Sequence, residues 1–202
     1  MKRIIVSLSL TLPLALALGA AEALRYDSQP GGGKITLEGK STLGGWTMES
    51  AAIGGFIEAD AAFPESIGAK PRVEVNIPVR QIKSGKKAMD TRMLSEMNQP
   101  VYPRIEYRVL ELKPKGPPAG GKAEFDATGA LTVVGVTRTN TMAVTITRVD
   151  HTKLKVNGST TVKMSDHGLK PPTFTVLGGA DLMKADDAVK ITFEWTPEVE
   201  KK

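Results

Sequence analysis

Apolar and polar residues alternate with a period of two through most of the chain. Val73, Val75, Ile77 and Val79 fall on one side, with Arg72, Glu74 and Asn76 on the other. Ile105, Tyr107 and Val109 alternate with Arg104, Glu106 and Arg108, and Met142, Val144 and Ile146 with Thr141, Ala143, Thr145 and Thr147. Leu154, Val156, Val162 and Met164 are set against Lys153, Lys155 and Lys163, and Val189, Ile191, Phe193 and Trp195 against Lys190, Thr192 and Glu194. Ile35 with Leu37, and the segments around 46–51, 55–59 and 125–136, complete the pattern, which predicts about eight strands.

Breakers separate these runs. Gly31-Gly32-Gly33, Gly44-Gly45, the Pro/Gly-rich stretch 113–121 and Gly178-Gly179 read as turns. Asn157-Gly158 reads either as a two-residue hairpin turn or as a glycine kink inside one long strand. One segment departs from the rhythm. Between Gly85 and Met97, residues Met89, Met93, Leu94 and Met97 recur at spacings of three and four among charged neighbours, which predicts a short amphipathic helix closed by Pro100 and Pro103.

Strands with one apolar face form a sheet that has only that face to bury, by sandwiching or by closing into a barrel. Closure with about eight strands leaves an interior that side chains fill or that holds one small ligand. Two Trp, three Tyr and five Phe are few large rings with which to fill it, which tilts the reading towards a cavity.

Composition removes whole classes of chemistry. The 202 residues contain no Cys and two His, so disulfides, thiolate catalysis, iron–sulfur clusters and Cys- or His-rich metal sites are excluded. No P-loop and no G-x-S-x-G elbow occurs. Lys2 and Arg3 precede an uncharged apolar run that ends at Ala21-Glu22-Ala23, the pattern of a secretory signal peptide over residues 1–23, so residues 24–199 form one mature domain in a periplasmic or secreted location. A net charge of +5, spread along the chain, allows transient contact with an anionic membrane surface, whereas nucleic-acid binding finds no motif.

Four stretches carry a resemblance. They are Gly39-Lys40-Ser41-Thr42-Leu43 leading to Trp46; Tyr102-Pro103-Arg104-Ile105-Glu106-Tyr107; Gly129-Ala130-Leu131-Thr132-Val133-Val134-Gly135-Val136-Thr137-Arg138; and Met164-Ser165-Asp166-His167-Gly168-Leu169-Lys170-Pro171-Pro172. In order and spacing they resemble the YceI-like family of secreted lipid- and polyisoprenoid-binding proteins, from about Tyr26 to Pro197. The resemblance implies an all-β, lipocalin-like antiparallel barrel with one short helix. Its elongated apolar cavity would hold an isoprenoid or quinone-like lipid, with no cofactor and no catalysis. Relatives often carry His-Asp where this chain has Gly44-Gly45, so a headgroup held by those groups would be gripped differently here or not at all.

A long apolar tail is energetically sufficient as a ligand. A buried methylene contributes about 0.8 kcal/mol, so an isoprene unit contributes roughly 3–4 kcal/mol gross. Micromolar binding needs about 8 kcal/mol net of roughly 4–15 kcal/mol for lost freedom, which about four to seven units supply. The candidate ligand-lining residues are Val75, Ile77, Tyr107, Val144, Ile146, Val162, Phe193 and Trp195 from strands, and Met93 and Met97 from the helix. Trp46, Phe56 and Phe174 are candidates near a mouth. The competing readings are a filled barrel that serves as an interaction or stress-response module, and an enzyme using Asp166, His167 or Asp90. Adjacent residues on an extended chain point to opposite faces, so Asp166 and His167 do not pair as a general-base dyad. Nothing in the sequence sets the oligomeric state; a dimer is one option.

Overall fold

In the computed structural model, which describes residues 23–66, 70–175 and 181–200, the alternating runs become strands of one antiparallel sheet. The expected leader, residues 1–23, lies outside the described residues but for Ala23. In chain order the elements are β1 (Ala23–Asp27), β2 (Gly33–Ser41), β3 (Gly44–Ser50), β4 (Gly54–Asp60), β5 (Arg72–Pro78), α1 (Lys87–Glu96), β6 (Arg104–Pro114), β7 (Lys122–Val133), β8 (Val136–Arg148), β9 (Leu154–Lys163), β10 (Thr173–Thr175), β11 (Asp181–Trp195) and β12 (Glu198–Val199). The pairing order is β12-β1-β4-β5-β6-β7-β8-β9-β11-β2-β3, with β10 attached to β11. This curled sheet is a lipocalin-like half-barrel. Single bridges, Glu49 to Lys83 and Lys153 to Glu198, tie its edge strands β3 and β12 to neighbouring segments.

The described residues thus form twelve strands rather than about eight. The additional ones, β1, β10 and β12, are 5, 3 and 2 residues long, too short for alternation to register. Asn157-Gly158 is no hairpin: both lie within β9, which pairs with β8 on one side and β11 on the other.

One end of the half-barrel is packed solid. Tyr26, Phe63 and Leu154 are fully buried there, and the Phe63 and Phe125 rings stack with centroids 6.2 Å apart. Arg148, at the end of β8, fastens the segment that follows β4. Its guanidinium donates to the carbonyls of Ala61 (2.9 Å) and Phe63 and to the Glu65 carboxylate at 3.1–3.2 Å. The same pairing draws the Glu65 carboxyl below its ordinary value.

At the other end α1 lies across the sheet. Its residues are half-buried or exposed; Met89 and Met93 pack on the main core, while Met97, just beyond it, is buried with Val79, Leu131 and Val133. The Arg92 guanidinium donates to the Thr173 carbonyl at 3.1 Å, which joins α1 to β10.

Arg148→Leu removes the donor and leaves the part-buried Phe63 carbonyl unpaired. Unfolding in urea should show a loss of about 1–3 kcal/mol, with faster amide exchange confined to 61–66. Glu65 is held below its ordinary pKa, so its contribution is complete above that ordinary value and disappears as pH falls through the lowered one; in Arg148→Leu this acid-side dependence should weaken.

Candidate functional site

The inward face of the sheet carries three glycines, each beneath an aromatic ring from a neighbouring strand. A Cβ on Gly39 would lie 2.1 Å from Cζ2 of Trp46, one on Gly129 2.3 Å from Cζ of Tyr107, and one on Gly158 2.5 Å from Cζ of Phe193. With no side chain below, each ring lies along the sheet instead of standing into the interior.

Two of these rings, Tyr107 and Phe193, border a cavity of about 130 Å³ that 22 residues of the two facing walls line. Val73, Val75 and Ile77 of β5 face Val156 of β9 and Ile191, Phe193 and Trp195 of β11, with β6, β7 and β8 between them. Its polar atoms are already engaged by the protein. The Tyr107 hydroxyl donates to the Ala127 carbonyl at 3.3 Å, the Trp195 indole N–H to Ser28 Oγ at 2.9 Å, and Thr160 bonds to the Asn140 amide at 3.2 Å. Burial pushes the Tyr107 phenol up to about 12. The lining is thus apolar in function as well as composition. Part of it is also reachable from outside: Ile35, Leu37, Val75, Ile105, Tyr107, Val109, Leu112, Ile191 and Phe193 border the cavity yet are only half-buried.

An engineered apolar cavity of about 150 Å³ holds benzene, so the enclosed volume here suits one ring or one isoprene-sized group rather than an extended tail. A larger groove of about 650 Å³ runs over the outer sheet surface past Lys34, Thr36, Asn157, Thr192 and Glu194, but it is open and of mixed polarity.

The structure distributes the expected site residues unevenly. Val75, Ile77, Tyr107, Val144, Ile146, Phe193 and Trp195 border the cavity. Met93 packs against both hydrophobic clusters from α1, Met97 is buried in the smaller one, and Val162 packs against that same cluster. Trp46 packs on the main core over Gly39. Phe56 occupies the opposite face of β4 from Ile57 and is covered by the guanidinium carbons of Arg25 at 3.7 Å and Arg72 at 4.9 Å from its ring centroid. The side chain of Phe174 lies outside the described residues. Ile35, Leu37, Ile105, Val109 and Ile191 border the cavity without having been singled out, although alternation placed every one on an inward face.

The acid and imidazole groups lie elsewhere. His167 is buried, with Nδ1 3.0 Å from the Val136 carbonyl. The Asp90 carboxylate accepts from the Ser84 N–H and hydroxyl at 2.7 and 2.6 Å, and Asp166 is exposed. Among the described residues none of the three borders the cavity, and no group of three or more His, Cys, Asp or Glu is placed to hold a metal ion.

A curled antiparallel sheet around an apolar, internally satisfied cavity defines a lipocalin-like fold. The YceI-like domain model matches residues 26–196, and the chain belongs to that family. Solved structures of the same fold include BcnA of Burkholderia cenocepacia, at 19% identity over 84% of this chain and 99% of that chain, with a TM-score of 0.66. A polyisoprenoid binding domain from Saccharophagus degradans, implicated in plant cell wall breakdown, matches at 14% identity over 88% of this chain and 99% of that chain, also at 0.66. The Campylobacter jejuni YCEI protein matches at 15% identity over 100% of both chains, with a TM-score of 0.55. No curated protein matches at a significant level.

Tyr107 retains its proton in the folded state to about pH 12, whereas an unfolded tyrosine loses it near pH 10. Stability is therefore undiminished below about pH 10 and declines as pH rises towards 12. Chemical denaturation across that range should show the decline, and Tyr107→Phe should flatten it.

Proposed function

We propose that this protein is a periplasmic or secreted carrier that takes an isoprenoid or quinone-like lipid into its apolar cavity without transforming it. The observation that supports this reading best is an inward apolar wall whose hydrogen-bonding atoms are all engaged and whose residues are half-buried along β2, β6 and β11. Apolar surface on the inside of a fold that still meets solvent is surface that a greasy ligand would cover. The polyisoprenoid binding domain of the same fold points to the same ligand class. The leader read at residues 1–23 supports the location, with residues 24–199 as the mature domain. Among the described residues no helix is long and apolar enough to cross a membrane.

Volume sets the terms of binding. One isoprene-sized group fits the enclosed 130 Å³, and the remainder of a tail would lie against the half-buried wall, with Met89 and Met93 of α1 moving aside. Methionine suits that role, being unbranched and able to repack around irregular apolar shapes. The small enclosed volume favours a second reading, a nearly filled barrel that acts through its surface and carries no lipid.

Solvent extraction of the purified full-length protein followed by mass spectrometry should release an apolar lipid. Affinity for added polyprenyl alcohols should rise with tail length, and Val109→Trp, which puts a further ring into the wall beside Tyr107, Phe193 and Trp195, should abolish both results. A protein that is repeatedly empty and indifferent to polyprenyl alcohols would establish the filled-barrel reading.

A further inference from the structure

The two ends of the half-barrel differ in how their cations are matched. At the packed end five cations, Lys115, Lys122, Arg148, Lys153 and Lys155, each hold a carboxylate oxygen at 2.7–3.6 Å, and Lys113 there is exposed without an ion pair. At the end where β2 turns into β3 and α1 crosses, Lys40, Lys86, Lys87, Lys170 and Lys184 are all exposed. Among the described residues none of these five has a carboxylate within 4.0 Å. Acidic groups at that end are largely engaged: Asp90 by Ser84, Asp187 by the Ser165 N–H and hydroxyl, and Glu96 by Arg92. Asp166 and Asp186 remain exposed there, so the excess is positive but not unopposed.

The same end presents Leu43, which at 74% exposure exceeds every other large exposed apolar residue described. It is held out by a braced turn. Ser41 Oγ donates to the Gly44 carbonyl at 2.8 Å and accepts from the Leu43 N–H at 3.3 Å. The Thr42 N–H donates to the Lys184 carbonyl at 3.0 Å, and the Lys184 N–H to Thr42 Oγ1 at 3.1 Å. Lys184 pairs with Thr173, whose carbonyl accepts from Arg92 of α1. Hairpin tip, β10, β11 and α1 therefore form one connected rim.

We propose that this rim docks on a bilayer surface bearing anionic phospholipid, with Leu43 seated at the headgroup–acyl boundary and the lysines on the phosphates. A rigid apolar tip amid unpaired cations combines the two attractions that hold proteins at such a surface. A protein partner fits less well, because a stable protein interface needs about 800 Å² from each side and a single protruding leucine is a point contact. The docking rests on the carrier reading above, since it sets the α1 end of the cavity against a membrane that contains apolar lipid.

Flotation of the full-length protein with phosphatidylglycerol-rich vesicles, and with phosphatidylcholine vesicles, tests this at low and high salt. Binding is expected to the anionic vesicles alone and to fall with salt. Lys40→Gln with Lys184→Gln should weaken it about 25-fold, roughly fivefold for each charge. Leu43→Ser should weaken it at both salt concentrations, and Lys122→Gln at the packed end should leave it unchanged. Equal binding to both vesicle types, no binding, an equal loss in Lys122→Gln, or equally tight capture by soluble polyglutamate would overturn the proposal. Lipid content measured by extraction from the same samples separates the two ideas. A protein that carries lipid but does not float refutes the docking alone, and one that floats but is empty refutes the carrier alone.

Discussion

Every other feature depends on one constraint: the inward face of the curled sheet has to be apolar without being full. Protein interiors normally pack as densely as organic crystals, and unfilled volume costs about 24 cal/mol per Å³, so 130 Å³ amounts to about 3 kcal/mol of forgone stability. The void is built by specific residues. Gly129 and Gly158 remove side chains where Tyr107 and Phe193, which border it, would otherwise have to stand upright. Each ring covers the glycine backbone of its neighbour, as aromatic residues do beside strand glycines elsewhere. The sheet keeps its large apolar contact area while its middle stays open.

The ends then divide the work. Tyr26, Phe63, Phe125 and Leu154, secured by Arg148, close one end with contacts that have no looseness left in them. The opposite end is covered by a helix without a buried residue, resting through half-buried methionines and one guanidinium-to-carbonyl bond. Local opening follows the weakest packing, so the interior is more accessible beneath α1 than through the aromatic plug.

Period-two alternation made most of this legible. It placed Val75, Ile77, Tyr107, Val144, Ile146, Phe193 and Trp195 inward, and these residues do border the cavity. The same logic, applied strictly to 54–60, would have separated Ile57 and Ala59 from Phe56, which shares its face with Glu58. Phe56 tolerates the outer face because Arg25 and Arg72 roof its ring, a tertiary contact that no local pattern encodes. The volume of the cavity was not legible for a similar reason. The glycine at Asn157-Gly158 was visible as a turn or a kink, but the ring that needs its missing Cβ belongs to residue 193, 35 positions further along the chain. The short strands β1 and β12 escaped notice because they owe their extended form to partners distant in sequence, and β10 because it is only three residues long.

A cavity lining with no free donor or acceptor restricts what an amphiphile can leave against it. An unpaired buried hydroxyl or phosphate loses its hydration with nothing in exchange, a penalty of several kcal/mol for a neutral group and far more for an ion. Any polar end of a ligand is therefore excluded from the cavity and has to remain at an opening. The tip of the β2–β3 hairpin offers no polar side chain at Gly44 and Gly45, but Lys40 and Lys184 stand beside it with no ion-pair partner among the described residues. Discrimination by headgroup would then be a matter of net charge at the rim, and discrimination by tail a matter of how much apolar wall is covered. On the carrier reading, lipids would be distinguished by length and charge rather than by chemical detail.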